Sequence, residues 1–331
     1  MPNPSPRAAL RRATVPRARP LRRTGTPPAA RVVVVGDLML DVVIAPARPL
    51  ELGTDVPGRV SLRQGGSAAT TARWLARLGA RTTFVCSVGR DPEGRALTAS
   101  VSADGVRVRA SRVAGQRTGR IGVVVAPGGE RSFVADRAAA DALTASELAA
   151  STFRADLVHL PAYSLLGEPL GTAGRRAIEL ARQNGALVSV DLASVGPLLA
   201  RGRRAAVRLV RDAAPDLLFA TSAEAEAVAG RASVDSLADL SPLVVVKRGP
   251  SGATVFARGP ERRLSFDVAT RPVAAADTTG AGDAFDAGFI VVWLRAPSDS
   301  RNRPTNLRAA VLAAHRAAAR QLAAPGKELS L

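Results

Sequence analysis

The chain has 331 residues, 47% of them hydrophobic, with one cysteine and a formal net charge of +18. That length suits one large α/β domain or two modest ones; no apolar run reaches the ~18–20 residues of a membrane-spanning helix, and the lone Cys86 excludes an internal disulfide framework and fits a reducing, cytoplasmic setting. The charge argues little for nucleic acid as a partner: residues 1–31 hold eight arginines and no acid, residues 295–331 seven basic groups against two acids, and the other 263 residues 31 against 26, with aromatics at 3% and no reading motif.

Residues 1–30 mix Pro, Arg and Ala without apolar periodicity and are expected to form a disordered arm. They lack the apolar centre of a secretory signal. From Arg31 onward, strands are expected at 32–36, 82–86, 155–160, 187–191, 216–219, 243–247 and 253–257. Helices are expected at 67–78, 92–102, 144–151, 168–184, 199–212, 222–229, 281–294 and 306–323. Such alternation predicts βαβ units and a parallel sheet covered on both faces, with ligands beyond the carboxyl ends of the strands. Two stretches, 42–63 and 106–134, interrupt it with short β-type runs between Gly and Pro turns. They read as an inserted antiparallel patch, a lid that keeps water from a reacting group. The domain then runs over 31–326, with 327–331 as a tail.

Four stretches carry candidate chemistry. The run Val32 to Val35 leads to Asp37 and Asp41, and Gly65-Gly66 opens the helix after it, with Ser67 in N-cap position. Bare backbone at the glycines and the Asp41 carboxylate suit a polyhydroxyl ligand. The same pattern also reads as strand-end and helix-start punctuation. Thr221-Ser222-Ala223-Glu224 opens an acidic helix. Lys247, one of only two lysines, ends a strand before a turn with Gly249 and Gly252; a lysine is solvated by default. The fourth stretch, Asp277-Thr278-Thr279-Gly280-Ala281-Gly282-Asp283-Ala284-Phe285, sets two glycines and a carboxylate at the start of an apolar helix. Unpaired amides and the helix dipole attract anions there. A carboxylate beside a bound phosphate is what a general base needs to take a proton from an attacking hydroxyl. The alternative is a Gly-rich cap with Asp283 complementing the dipole.

The Asp277–Phe285 stretch closely resembles the C-terminal signature of the PfkB/ribokinase family of small-molecule kinases. The Gly-Gly pair and the Leu75-Ala76-Arg77-Leu78-Gly79 ending resemble its N-terminal half. The resemblance implies a ribokinase-like, three-layer α/β/α doubly wound fold with a small β lid. By the same resemblance Gly280, Ala281 and Gly282 form an anion hole and Asp283 is the base. Asp41, Gly65, Gly66 and Thr70 hold the acceptor's hydroxyls. Lys247, Gly249, Gly252, Thr221, Glu224 and His315 lie on the ATP side, with Glu224 acting on Mg²⁺ through water. Asp277 orders the loop or binds a monovalent cation such as K⁺.

Thr70, Met39 and Thr221 each stand where the family or its ribokinases carry Asn, which puts ribose itself in doubt. The expected activity is ATP-dependent phosphorylation of a sugar hydroxyl. The competing readings are a nucleoside kinase, disfavoured by few aromatics, and a sugar or nucleotide sensor without turnover. A homodimer is compatible with such a lid. His159 reads as structural, and Asp286 as a helix-surface group.

Overall fold

The computed structural model describes residues 28–126, 130–258, 263–275, 277–324 and 328–329. The arm up to residue 27, Gly326, and all of the tail but Glu328 and Leu329 lie outside the described residues. The elements in chain order are β1 (Arg31–Val35), β2 (Met39–Pro46), β3 (Gly58–Gly65), α1 (Ser67–Arg77), β4 (Arg81–Gly89), α2 (Pro92–Ala103), β5 (Arg107–Val113), β6 (Arg120–Val125) and β7 (Arg131–Asp136). There follow β8 (Leu157–Pro161), α3 (Tyr163–Leu166), α4 (Leu170–Gln183), β9 (Leu187–Asp191), α5 (Val195–Leu199), α6 (Arg203–Ala213), β10 (Leu217–Thr221) and α7 (Ser222–Ala229). The last are β11 (Leu243–Lys247), β12 (Ala253–Arg258), β13 (Arg263–Val268), α8 (Ala281–Arg295) and α9 (Pro304–Ala323).

Nine strands form one sheet in the order β13-β12-β11-β10-β9-β8-β1-β4-β5. From β5 to β11 every neighbour is parallel, and β12 and β13 close the far edge antiparallel. The inner parallel strands such as β1, β8 and β11 are valine- and leucine-rich and buried on both sides, because helices cover both faces. One apolar core, under α1, α8 and α9, contains Val32, Phe84, Phe219 and Phe289; the other, under α4, α6 and α7, contains Val33, Leu160, Val188 and Val244. At Gly288 the backbone of α9 comes so close that an added Cβ would lie 2.8 Å from the Ala314 Cα. The order in which the chain adds strands reverses at β1, which has β4 on one side and β8 on the other. Such a switch point opens a crevice at the carboxyl ends of the strands.

A second sheet, order β3-β2-β6-β7, stands over that crevice. It is not wholly antiparallel as expected, since β2 and β6 run parallel. Nor does all of 106–134 belong to it: β5 pairs parallel with β4 at the edge of the main sheet. The Val106-Arg107-Val108 alternation looks the same for a half-exposed edge strand as for a lid strand. Two helix expectations also change. Residues 144–151 form 3₁₀ turns at Ala145–Glu147 and Ala150–Phe153 rather than an α-helix, and the 199–212 helix is split into α5 and α6 around Gly202 (φ 80°). His159 is fully buried on β8 with Nδ1 3.2 Å from Ser189 Oγ, in the structural role expected of it.

Candidate active site

Three neighbouring parallel strands end on residues that face the crevice: Asp191 on β9, Thr221 on β10 and Lys247 on β11, with Thr221 and Lys247 in register. The crevice is one cavity of about 1500 Å³. It brings together Asp41, Gly65, Gly66, Thr70, Thr221, Glu224, Lys247, Asp277, Gly280, Gly282 and Asp283 from distant parts of the sequence. Gly249, Gly252 and His315 do not line it. The two glycines shape the β11–β12 turn, at φ 55° and 93°, and a Cβ on Gly252 would lie 2.2 Å from the Val268 carbonyl oxygen. His315 packs against Phe285 at 5.5 Å with both ring nitrogens buried and without hydrogen-bond partners among the described residues.

Gly280 caps α8 in the left-handed conformation (φ 76°), which L side chains rarely adopt. Gly280 and Gly282 line the cavity beside Asp283, whereas the predicted Ala281 does not and donates its amide to the Thr278 carbonyl at 3.3 Å. The Ser67 hydroxyl donates to Asp283 Oδ1 at 2.6 Å. The N-cap of α1 is therefore Gly66, and Ser67 serves the opposite helix instead of its own. Burial raises the Asp283 carboxyl, the Ser67 hydrogen bond and Lys247 hold it back, Asp191 and Asp37 add like charge, and the result is about 7.

Asp41 is 8% exposed and its Oδ1 has no hydrogen-bond partner among the described residues. Burial and the neighbouring Asp37 push its carboxyl up to about 7, against the pull of Arg63. Its side chain lies over the Gly65 Cα, where a Cβ would fall 1.8 Å from Oδ1, so only glycine fits there. Thr70 donates its hydroxyl to the Gly66 carbonyl at 3.0 Å and packs its methyl toward Gly280. It shapes the cavity wall, and its hydroxyl is already engaged. Asp37, 2% exposed, accepts from the Ala68 amide at 3.1 Å and so takes charge of the start of α1.

Lys247 is not the solvated residue its type suggests. It is 9% exposed, with Nζ 3.0 Å from Asp191 Oδ1 and 3.2 Å from Asp286 Oδ1. Asp286 is fully buried, which corrects the helix-surface reading: the face of α8 one turn beyond Asp283 is turned onto β11. Burial alone would lower the Lys247 ammonium; Asp191, Asp286 and Glu224 outweigh it and keep it charged. Burial and Asp191 in turn push the Asp286 carboxyl well above its ordinary range. Thr221 and Glu224 form a capping box at α7, with Glu224 Oε2 accepting from the Thr221 amide at 2.8 Å.

The inner face of the small sheet follows the two-residue period of strands, presenting Asp41 and Val43, Arg63, Ile121, Val123 and Val125, and Arg131, Phe133 and Ala135 to the cavity. Asp277 is gripped from that face by Arg63 (2.9 Å) and Arg131 (2.7 Å). It also accepts from the Thr279 amide at 2.8 Å. A carboxylate already holding two guanidinium groups does not suit a monovalent cation. Ser67, Arg63 and Arg131 were not legible as site residues; Arg131 had a signal in its place on the Phe133 and Ala135 face of β7, whereas Arg63 shares β3 with Arg59, Ser61 and Gln64 and nothing local marks it.

Residues 29–331 match the family described as pfkB family carbohydrate kinase. Among curated proteins, the fructokinase of Salmonella typhimurium is 31% identical over 273 residues, which is 79% of this chain and 83% of the relative. Among solved structures, the fructokinase of Vibrio cholerae O395 in its fructose, ADP and calcium ion bound form superposes with a TM-score of 0.73 at 25% identity, over 90% of this chain and 94% of that one. The adenosine kinase of Sinorhizobium meliloti gives a TM-score of 0.77 at 22% identity, over 91% and 96%, and so shares the fold. No helix among the described residues is long and apolar enough to cross a membrane. A ribokinase-like body, a four-stranded sheet over its crevice and a helix start carrying Gly280 to Asp283 agree with these matches, and the chain belongs to the PfkB family of ATP-dependent carbohydrate kinases.

Proposed function

We propose that the protein transfers the γ-phosphoryl group of ATP to a hydroxyl of a sugar, with Asp283 as general base. The observation that carries this is the position of Asp283: in the first turn of α8, on the cavity, with its carboxyl at about 7. A base in that range is about half ionised at neutral pH and basic enough to take the hydroxyl's proton as the phosphoryl group arrives. The amides from Gly280 to Asp283 would meet the charge on the phosphoryl oxygens, fixed in place before reaction. Asp41 Oδ1, buried and unpartnered among the described residues, would accept from a hydroxyl of the sugar, which satisfies a polar atom otherwise costly to leave alone. The small sheet, in the role of lid, keeps water away from the donor.

Among the described residues no cluster of three or more potential ligands stands ready to bind a metal directly. Glu224, 5% exposed beside Asp191 and Lys247, suits Mg²⁺ held through water and the nucleotide's own phosphates, where the ion would neutralise charge on the donor. Fructokinase relatives make fructose the first acceptor to try. A nucleoside acceptor has one observation in its favour: Phe133, 59% exposed on the cavity face of β7, offers a ring on which a base can stack.

The pH profile tests the base. Protonated Asp283 cannot accept a proton, so kcat/KM should fall as pH drops through about 7. Ser67→Ala removes a hydrogen bond to the ionised form, so its acid limb should move to higher pH while activity above pH 9 changes little. An acid limb that stays in place in Ser67→Ala would show that Ser67 does not act through Asp283.

A further inference from the structure

We propose that Arg63 and Arg131 are positioning residues for phosphoryl transfer, holding the anion-hole loop through Asp277 in place of a monovalent cation. The proposal rests on the kinase reading of the site. Arg63 lies on β3 and Arg131 on β7, the two opposite edges of the small sheet, yet both reach the same carboxylate, at 2.9 and 2.7 Å. Arg131 also donates to the Thr279 hydroxyl. Asp277 Oδ1 accepts from the Thr279 amide at 2.8 Å, so the pull on Asp277 is passed directly to the residue before Gly280.

The opposite side of the loop is fixed by the body. Gln321 of α9 donates to the Thr279 carbonyl at 3.0 Å and accepts from the Trp74 indole at 2.9 Å. Thr279 is thus held between body and lid, and the amides of Gly280 to Gly282 are aimed only while both grips are made. Burial would raise the Asp277 carboxyl, but the Thr279 hydrogen bonds and Arg131 hold it below the ordinary range, so it stays ionised and able to keep both arginines. A cation placed on the same oxygens would face two guanidinium groups at contact distance. The arginines also link the reacting centre to lid position: when the small sheet lifts, the loop loses two of its restraints, and transfer waits on closure.

The test measures steady-state kinetics of the full chain in potassium, sodium and tetramethylammonium buffers, for wild type, Arg131→Ala and Arg131→Lys. Wild-type turnover should be the same in all three buffers. Arg131→Ala should lose about 10²-fold in kcat, the order of loss that follows a 1 Å misplacement of a catalytic group. KM for ATP should hold, and millimolar guanidinium should restore part of the rate. Arg131→Lys should keep an intermediate rate. Potassium should raise the melting temperature no more than sodium does. A strict potassium requirement in the wild type, or unchanged kcat in Arg131→Ala, would overturn the proposal. Loss of rate without guanidinium rescue, in a variant that melts far below wild type, would likewise mark Arg131 as structural. A wild type inactive on every acceptor removes the kinase reading and this proposal together, whereas an active wild type with a fully active Arg131→Ala removes this proposal alone.

Discussion

Asp283→Asn is expected to lower kcat for phosphoryl transfer by about 10²–10⁴-fold, the usual worth of a positioned general base. Asparagine keeps the shape and the Ser67 contact but cannot take a proton, so KM for ATP should change little. The stability of the variant should move the other way. Burial raises the Asp283 carboxyl, so the folded chain binds its proton more tightly than the unfolded chain. The stability this group contributes is present at low pH and is lost as pH rises through about 7. Asparagine removes that loss, and at pH 8 the variant should unfold at a midpoint no lower than wild type. Such an exchange of stability for activity is common where a site keeps a charge in a poorly solvated place. An inactive variant that also unfolds early would point to damage of the helix start instead. Full turnover in Asp283→Asn would remove Asp283 from the mechanism.

Lys247→Met is expected to be the most destabilising single change in the site. The ammonium stands 3.0 Å from Asp191 and 3.2 Å from Asp286, and all three groups are buried. Methionine matches the length of the stem and leaves two carboxylates facing each other without a cation. Removing one partner of a buried pair costs about 3–5 kcal/mol, a large share of the ~5–15 kcal/mol that holds a typical domain together. Urea unfolding at pH 8 reads that loss directly. It should shrink as pH is lowered, because burial and Asp191 already push the Asp286 carboxyl up and protonation relieves the repulsion. The double variant Lys247→Met/Asp286→Leu should recover much of the stability, since apolar groups of similar size often replace a buried ion pair without cost. A single variant within ~0.5 kcal/mol of wild type would mean that the ammonium adds nothing to the fold.

What the sequence made legible was what lies close together along it. The strands Leu187–Asp191 and Leu243–Lys247 and the helix Ser222–Ala229 fall where their apolar runs and turn residues put them. The loop carrying Gly280, Gly282 and Asp283 was legible because these residues lie within four positions of one another. The sets that depend on tertiary contact were not. Lys247, Asp191 and Asp286 come from β11, β9 and α8, and nothing local distinguishes a lysine paired at a strand end from a solvated one. Strand β13 (Arg-Leu-Ser-Phe-Asp-Val) was missed because its alternating exposure gives a weak apolar signal. The misplacement of β5 has a similar cause, since period-two alternation marks a half-exposed strand without naming its neighbour. The grip of Arg63 and Arg131 on Asp277 spans 214 and 146 positions of sequence and joins the small sheet to the body, a contact that only the tertiary fold makes.

The most direct measurement is product formation from ATP and Mg²⁺ over a panel of fructose, other hexoses, pentoses and nucleosides, with Asp283→Asn run in parallel. A cavity that transfers a phosphoryl group to a sugar should yield a sugar phosphate from one class of acceptor, fructose first among them, and should lose that product in the variant. Sugar binding without any phosphate ester from any acceptor would contradict that expectation and leave a sensor on a kinase fold.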